Sequence, residues 1–337
     1  MTGRVRVAML GFWHVHAKDY ARAAAGHAAV DLVAAWDEDA ARGREWADEF
    51  GIGLAPSLPA LLSRDDVDAV VVTTATAAHR DVLVAAAEAG KHIFTEKVLA
   101  PTVRECADVV AAVNRAGVVL VVSLPRLYDA ATLAIRRLLA DGRLGRLASV
   151  RVRLAHGGAA GEAWLPERFF DPAAAGGGAL IDLGSHPMYL ARLFLGSLPE
   201  SVTASFGALT GHAVEDGAVA VLRQAGGALG VVEAGFVTPH SPFVVEAHGT
   251  EGSLLYGLPE PRLLLRAGPE PDGGWTEVPL PEPEPSPFER FVAHVRDGTR
   301  DPVNVAMAVD LTRLMAAAYE SARTGTTIAL TEGTTLA

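Results

Sequence analysis

From residue 4 to about 123, short apolar runs alternate with amphipathic stretches. The runs are Val5–Leu10, Val30–Trp36, Val67–Thr73, His92–Phe94 and Val118–Val122. Between them Ala17–Ala25, Glu38–Phe50, Asp81–Ala89 and Val103–Arg115 are each long enough for two to four helical turns. Continuous apolar strands separated by helices predict a parallel sheet covered on both faces. Right-handed crossovers make that sheet doubly wound. Gly51, Gly90 and Gly117 fall just after the helical stretches, where a left-handed residue closes a helix.

The rhythm changes after Pro125. A helix is predicted over Ala130–Ala140, followed by a strand over Ser149–Ala155 that alternates Val150, Val152 and Leu154 with Arg151 and Arg153. Such alternation marks a half-buried strand with one wet face. Further runs at Ser201–Phe206, Val219–Arg223, Ala228–Phe236, Val244–His248, Ser253–Tyr256 and Leu263–Arg266 predict an open, mainly antiparallel sheet. Six prolines between Gly268 and Pro287 predict a surface loop. Helices over Phe288–Arg296 and Val305–Ala322 and a last strand near Thr327–Leu330 complete the pattern. The expected organisation is a doubly wound α/β domain over 1–123 and an α+β domain over 124–337, whose C-terminal helix can pack back on the first.

At 337 residues the chain can build two cores. A formal charge of −11 without a block of Lys or Arg disfavours nucleic acid as a partner. The single cysteine, Cys106, excludes an internal disulfide and a cysteine-based zinc site. No apolar stretch reaches the roughly 18 residues a bilayer span needs. The first strand begins at Arg4, leaving no room for a signal peptide, so a cytoplasmic location without membrane contact is expected.

In a doubly wound sheet, ligands sit beyond the carboxyl ends of the strands at the switch point. Gly11 ends the first run just ahead of a helix, whose N-terminal amides can hold a pyrophosphate. Trp13 and His16 stand where the glycine loop G-x-G-x-x-G has its second and third glycines. The expectation is that Trp13 and His14 line a cofactor cleft and that amides from Phe12 to Val15 meet the pyrophosphate. Asp37 ends the second run; a carboxylate there can accept both ribose hydroxyls of an adenosine and repel a 2′-phosphate, which favours NAD over NADP. The same acid can equally be a helix cap, since Glu38 and Asp39 follow. Asp182 and His186, four positions apart behind a glycine run, share one face if they open a helix. The glycines would let the backbone come close to a ligand.

The stretch Thr73-Thr74-Ala75-Thr76-Ala77-Ala78-His79, followed by Ala89-Gly90-Lys91-His92-Ile93-Phe94-Thr95-Glu96-Lys97, resembles the Gfo/Idh/MocA family. Glucose–fructose oxidoreductase, inositol dehydrogenase and related sugar dehydrogenases belong to it. Its pattern is T-P-N-x-x-H, A-G-K-H-V and E-K-P, and this chain departs at Ala75, Thr76 and Val98. Gly176 to His186 resembles the family's G-G-G-x-L-x-D-x-G-x-H, Gly249 to Leu254 its G-T-x-G-S-L turn, and Ser321 to Gly325 its closing S-A-x-x-G. The resemblance implies a Rossmann domain, a second domain whose sheet makes homodimer or homotetramer contacts, and a nucleotide site including Thr74, His79, Glu96 and Lys97. It further implies that Lys97, Asp182 and His186 surround the substrate carbon facing the nicotinamide. His186 would then be the acid/base, Lys97 the partner of the reacting oxygen, Asp182 the holder of a substrate hydroxyl and Glu96 a neighbour of the nicotinamide ribose. A histidine's ordinary pKa of about 6.5 suits that proton transfer. The substrate class the resemblance implies is a sugar, cyclitol or related polyol.

Tyr189 replaces the family's aspartate three residues after the histidine, and Arg126 and Tyr128 resemble its N-x-R-F segment with Leu124 for the asparagine. These three residues, with Trp164, Glu167 and Arg168 ahead of the glycine run, are candidate substrate contacts. Two other readings use the same fold: an enzyme that recycles bound NAD in a redox-neutral reaction, and a non-catalytic NAD sensor. A metal hydrolase built on His14, His16, His79 and His186 is disfavoured. His14 and His16 are expected to open a helix, where positions i and i+2 diverge, and no H-E-x-x-H motif is present. No metal ligands are expected.

Overall fold

The computed structural model describes residues 3–268 and 273–330. The chain forms two compact units. One holds residues 3–124 and takes back Pro285–Val309; the other holds the described residues of Pro125–Glu284 and residues 310–330.

The first unit runs β1 (Val5–Leu10), α1 (Ala17–Gly26), β2 (Val30–Trp36), α2 (Ala40–Phe50), β3 (Gly53–Leu54), α3 (Leu58–Leu62), β4 (Ala69–Val72), α4 (His79–Glu88), β5 (His92–Thr95), α5 (Val103–Ala116) and β6 (Leu120–Val122). Its six strands are all parallel in the order β3-β2-β1-β4-β5-β6, so the strand order reverses between β1 and β4. That is the Rossmann arrangement, and it puts the end of β1 at the switch point. Helix starts follow local chemistry: Asp39 caps α2, and Thr102 with Glu105 forms a capping box on α5. Gly51 and Gly117 close α2 and α5 in the left-handed region, as their positions predict.

The second unit contains α6 (Ala130–Ala140), β7 (Leu147–Ala155), α7 (Pro172–Ala175), α8 (Ser185–Leu195), β8 (Ser201–Gly207), β9 (Gly217–Arg223), β10 (Leu229–Gly235), β11 (Val244–Gly249), β12 (Gly252–Tyr256), β13 (Leu263–Ala267) and β14 (Thr276–Val278). After it come α9 (Pro287–Asp297), α10 (Pro302–Thr324) and β15 (Ile328–Ala329). The nine-stranded sheet has the order β14-β13-β12-β11-β7-β10-β9-β8-β15. Every pair is antiparallel except β7 with β10. Along β9 the alternation is strict: Ala218, Ala220 and Leu222 are buried, while Val219, Val221 and Arg223 face out. Arg151 bridges Glu233 at 2.9 Å and Glu246 at 3.4 Å.

The sequence assigns 124–337 to the second domain and lets its C-terminal helix pack back on the first. Residues 285–309 return to the first unit, where Phe288, Phe291, Val292 and Val295 join the core of β1, β5 and β6. Asn304 is buried there and ties both backbone groups of Val122. Part of the proline-rich segment read as loop is strand β14. Among the described residues no helix is long and apolar enough to cross a membrane.

Candidate active site

At the switch point the chain turns on Gly11, whose φ is +81°. A Cβ there would lie 2.7 Å from Thr74 Cγ2 and 3.0 Å from its backbone, so the turn admits only glycine. Phe12 N–H donates to Asp37 Oδ2 at 2.6 Å, and His14 N–H donates to the Thr73 carbonyl at 3.0 Å. Two of the four amides expected to meet a pyrophosphate are therefore committed inside the protein. Trp13 and His14 are both buried.

Asp37 is more occupied than its position suggests. Its Oδ1 accepts Asp39 N–H at 2.7 Å and Arg42 Nη2 at 2.6 Å, and its Oδ2 accepts Arg42 Nε at 3.0 Å besides Phe12. A carboxylate has about four lone-pair sites, so all are filled. The helix cap is Asp39 instead. Gly43 lets α2 approach, since a Cβ there would sit 2.9 Å from Asp37 Cβ.

Glu96 follows β5 and is buried. Its Oε1 accepts His16 Nδ1 at 2.9 Å and Tyr20 Oη at 2.5 Å, with His14 Nδ1 at 3.8 Å. Its Oε2 accepts Lys97 N–H at 3.0 Å and lies 3.9 Å from Lys97 Nζ. Burial would raise the Glu96 pKa, but His14, Lys97 and His16 outweigh it and hold the carboxyl well below its usual range. The expected divergence of His14 and His16 is overturned. Helix α1 begins only at Ala17, His14 lies in the turn before it, and the two rings are 4.6 Å apart at their centroids. Tyr20, which sequence reasoning did not single out, also bonds Ser123 Oγ at 2.7 Å.

Lys97 is no solvated lysine, for its side chain is 2% exposed. His79 is fully buried and its Nδ1 donates to the Val98 carbonyl at 2.8 Å. Burial pushes its imidazole below the usual pKa, so it is the neutral ring that fixes the turn carrying Lys97. Thr74 Oγ1 is buried without a hydrogen-bond partner.

In the second unit the glycine run approaches protein rather than open space. A Cβ on Gly178 would lie 2.0 Å from the Glu215 carbonyl oxygen. Glu215 accepts Gly178 N–H and Leu180 N–H, each at 3.0 Å, and Tyr319 Oη at 2.6 Å, while its carbonyl accepts Ala179 N–H at 2.8 Å. Burial and the neighbouring Glu215 push the Tyr319 hydroxyl well above its usual pKa. Glu215 and Tyr319 thus hold the segment leading to Asp182 and His186, and the sequence marks neither of them.

Helix α8 starts at Ser185, so Asp182 lies in the preceding turn and not in the first helical turn. Its N–H donates to the Gly178 carbonyl at 3.1 Å. Burial lowers the pKa of His156, partly countered by the charge of Asp182. His156 stacks on Phe236 at 5.1 Å and adjoins Trp164, which is 55% exposed, at 4.8 Å. Sequence reasoning did not single out His156. His186 Nδ1 lies 2.9 Å from Tyr189 Oη, which accepts Arg126 N–H at 3.1 Å. Tyr189 is fully buried. The Arg126 guanidinium sits 4.1 Å over the Phe243 ring. Tyr128 is buried and its carbonyl accepts Glu284 N–H, Glu167 is exposed, and Arg168 lies 6.0 Å over Phe169.

Two family descriptions match this chain: the oxidoreductase family with an NAD-binding Rossmann fold over residues 5–124, and the GFO/IDH/MocA C-terminal domain over residues 132–255. The chain belongs to the Gfo/Idh/MocA oxidoreductases. Its relatives include 1,5-anhydro-D-fructose reductase of Ensifer adhaerens, 35% identical over 67% of this chain and 68% of that one. Another is scyllo-inositol 2-dehydrogenase (NAD(+)) of Bacillus subtilis (strain 168), 30% identical over 76% and 75%. The crystal structure of GenD2 from gentamicin A biosynthesis, in complex with NAD, superposes with a TM-score of 0.82. It is 29% identical to this chain over 98% of this chain and 97% of that one. This Gfo/Idh/MocA protein is therefore an NAD(P)-dependent oxidoreductase of a family that acts on sugars and polyols.

Proposed function

We propose that this protein oxidises a secondary alcohol of a sugar, cyclitol or related polyol, or reduces the matching ketone, with His186 carrying the proton. The observation that carries this reading is the Tyr189 hydroxyl on His186 Nδ1. Held at one nitrogen, the imidazole exchanges protons through the other. A tyrosine oxygen can donate to an unprotonated Nδ1 or accept from a protonated one, so it supports either tautomer.

The bound nicotinamide supplies the hydride acceptor in oxidation and the donor in reduction. The chain's residues fit a dinucleotide: Thr74 Oγ1, packed against the Gly11 turn at the switch point, is a buried hydroxyl without a partner. In oxidation His186 takes the hydroxyl proton as hydride leaves the same carbon. The Lys97 ammonium hydrogen-bonds that oxygen and favours its alkoxide character. Asp182 accepts a neighbouring substrate hydroxyl, and Trp164 offers an apolar ring face to the sugar. Tyr189 acts behind His186 and not on the substrate.

NAD is the favoured dinucleotide because Asp37 stands at the end of β2, but the preference is modest. Arg42 half-neutralises that carboxylate and must move for a ribose to bind, which puts a guanidinium where a 2′-phosphate would lie. We further propose that a second copy of the chain covers the outer sheet face around Val219, Val221 and Leu229. These exposed apolar side chains lie beside the Arg151–Glu233–Glu246 ladder. Location is proposed as cytoplasmic.

The test follows absorbance of reduced cofactor across a panel of sugars and cyclitols with NAD and NADP. Turnover with a polyol and NAD supports the reading. Failure of both cofactors to bind overturns it.

A further inference from the structure

We propose that His14, His16 and Glu96 form a binding site for a divalent transition-metal ion of the zinc class. Each residue offers one ligand atom, and the three atoms lie within 4.8 Å of one another. Zinc bonds of about 2.0–2.2 Å in tetrahedral geometry put ligand atoms roughly 3.4 Å apart, so closure needs side-chain shifts of about an ångström. Two imidazoles and one carboxylate suit zinc, cobalt, nickel or ferrous iron, whereas magnesium and calcium prefer all-oxygen shells.

The carboxylate is already oriented. Lys97 N–H pins Oε2, and Tyr20, itself tied to Ser123, pins Oε1. Partners of this kind hold metal ligands in position. Glu96 and His14 are buried while the His16 side chain is 42% exposed, so an ion enters past His16. Two contacts oppose binding. The Lys97 ammonium stands 3.9 Å from Oε2, on the oxygen away from the histidines, and His14 Nδ1 accepts the His16 amide at 3.2 Å, a bond an ion on that nitrogen would replace. The site gives His16 a chemical role where the glycine loop pattern has its third glycine. It shares Glu96 and the turn after Gly11 with the proposed dinucleotide site, so the ion is titrated without cofactor or substrate and its failure leaves the dehydrogenase reading to its own test.

The experiment titrates Co²⁺ into tag-free, EDTA-stripped protein and reads the visible ligand-field bands, with Zn²⁺ calorimetry alongside. One ion per chain is expected, and His16→Ala should weaken it at least about 100-fold while His27→Ala leaves it unchanged. Absence of a stoichiometric ion, or undiminished binding in folded His16→Ala, overturns the proposal. Since a variant at this turn can misfold, an anomalous-difference map of Co²⁺-soaked wild-type crystals provides the second reading. A peak among the three side chains supports the site, and a peak only at other histidines overturns it.

Discussion

Replacing Tyr189 with phenylalanine removes one oxygen and leaves the ring. That oxygen serves His186 Nδ1 at 2.9 Å and Arg126 N–H at 3.1 Å in a spot where Tyr189 has no exposed surface. A buried hydrogen-bonding group left without its partner costs about 1–3 kcal/mol. The Arg126 amide is less deeply buried and regains part of its loss from water, so the expected fall in stability is about 1–2 kcal/mol. The edge-to-face packing of the two rings, 5.6 Å between centroids, is retained. The catalytic effect comes from the freed imidazole. Loss of orientation worth about 1.4–2.7 kcal/mol lowers kcat roughly 10- to 100-fold, since 1.36 kcal/mol is one decade. The assay is steady-state turnover over a pH series, with NADH affinity and thermal midpoint measured on the same sample. A purely structural role would lower the midpoint and leave kcat within about twofold of wild type, and that result would refute the assignment.

Arg42→Gln should weaken NADPH binding by about tenfold or more relative to NADH, because it removes the guanidinium and leaves Asp37 to repel a 2′-phosphate; unchanged discrimination in fluorescence titrations would reject the role of Arg42. Gly178→Ala drives a Cβ to 2.0 Å from the Glu215 carbonyl and should cost about 3 kcal/mol or more in urea unfolding, whereas Gly226→Ala, with nothing within 4 Å, should be near neutral. Burial lowers the pKa of His79, His92 and His156 in the folded state. Their contribution to stability is complete above the unfolded value of about 6.5 and is lost as pH falls toward the folded values. Urea midpoints should therefore drop between pH 7.5 and 5.5, and drop less in His79→Asn; an equal drop in that variant would remove His79 from the explanation.

The Rossmann unit is legible because its strands are buried on both faces and read as unbroken apolar runs. Boundaries are less so: Val67–Thr73 reads as one run, yet only Ala69–Val72 pairs in the sheet. Strand β3 is two residues and α3 five, too short to leave a period. The phenylalanines and valines of α9 announce a buried face but cannot say which core receives it. Asp37 is visible as a carboxylate at the right strand end. What fills its lone pairs is not visible, because that depends on how α2 approaches over Gly43.

The candidate site divides in the same way. Lys97, Asp182 and His186 stand out through motifs, whereas Glu215 sits in Ala-Val-Glu-Asp-Gly and looks like an ordinary surface turn. Its partners lie at Gly178, Leu180 and Tyr319, and no local pattern carries a pairing across such separations. The convergence of His14 and His16 fails to show for a related reason. Local spacing predicts divergence, and only the delayed start of α1 and the distant Glu96 carboxylate bring the rings together.

The central claim is that His186 moves the proton that accompanies hydride transfer, and His186→Ala tests it most directly. Turnover of the best polyol substrate and NADH affinity are measured on the same folded protein. A fall in kcat of roughly 10²–10⁴ with NADH affinity preserved is the predicted result. A folded His186→Ala protein with near-normal kcat would contradict the account.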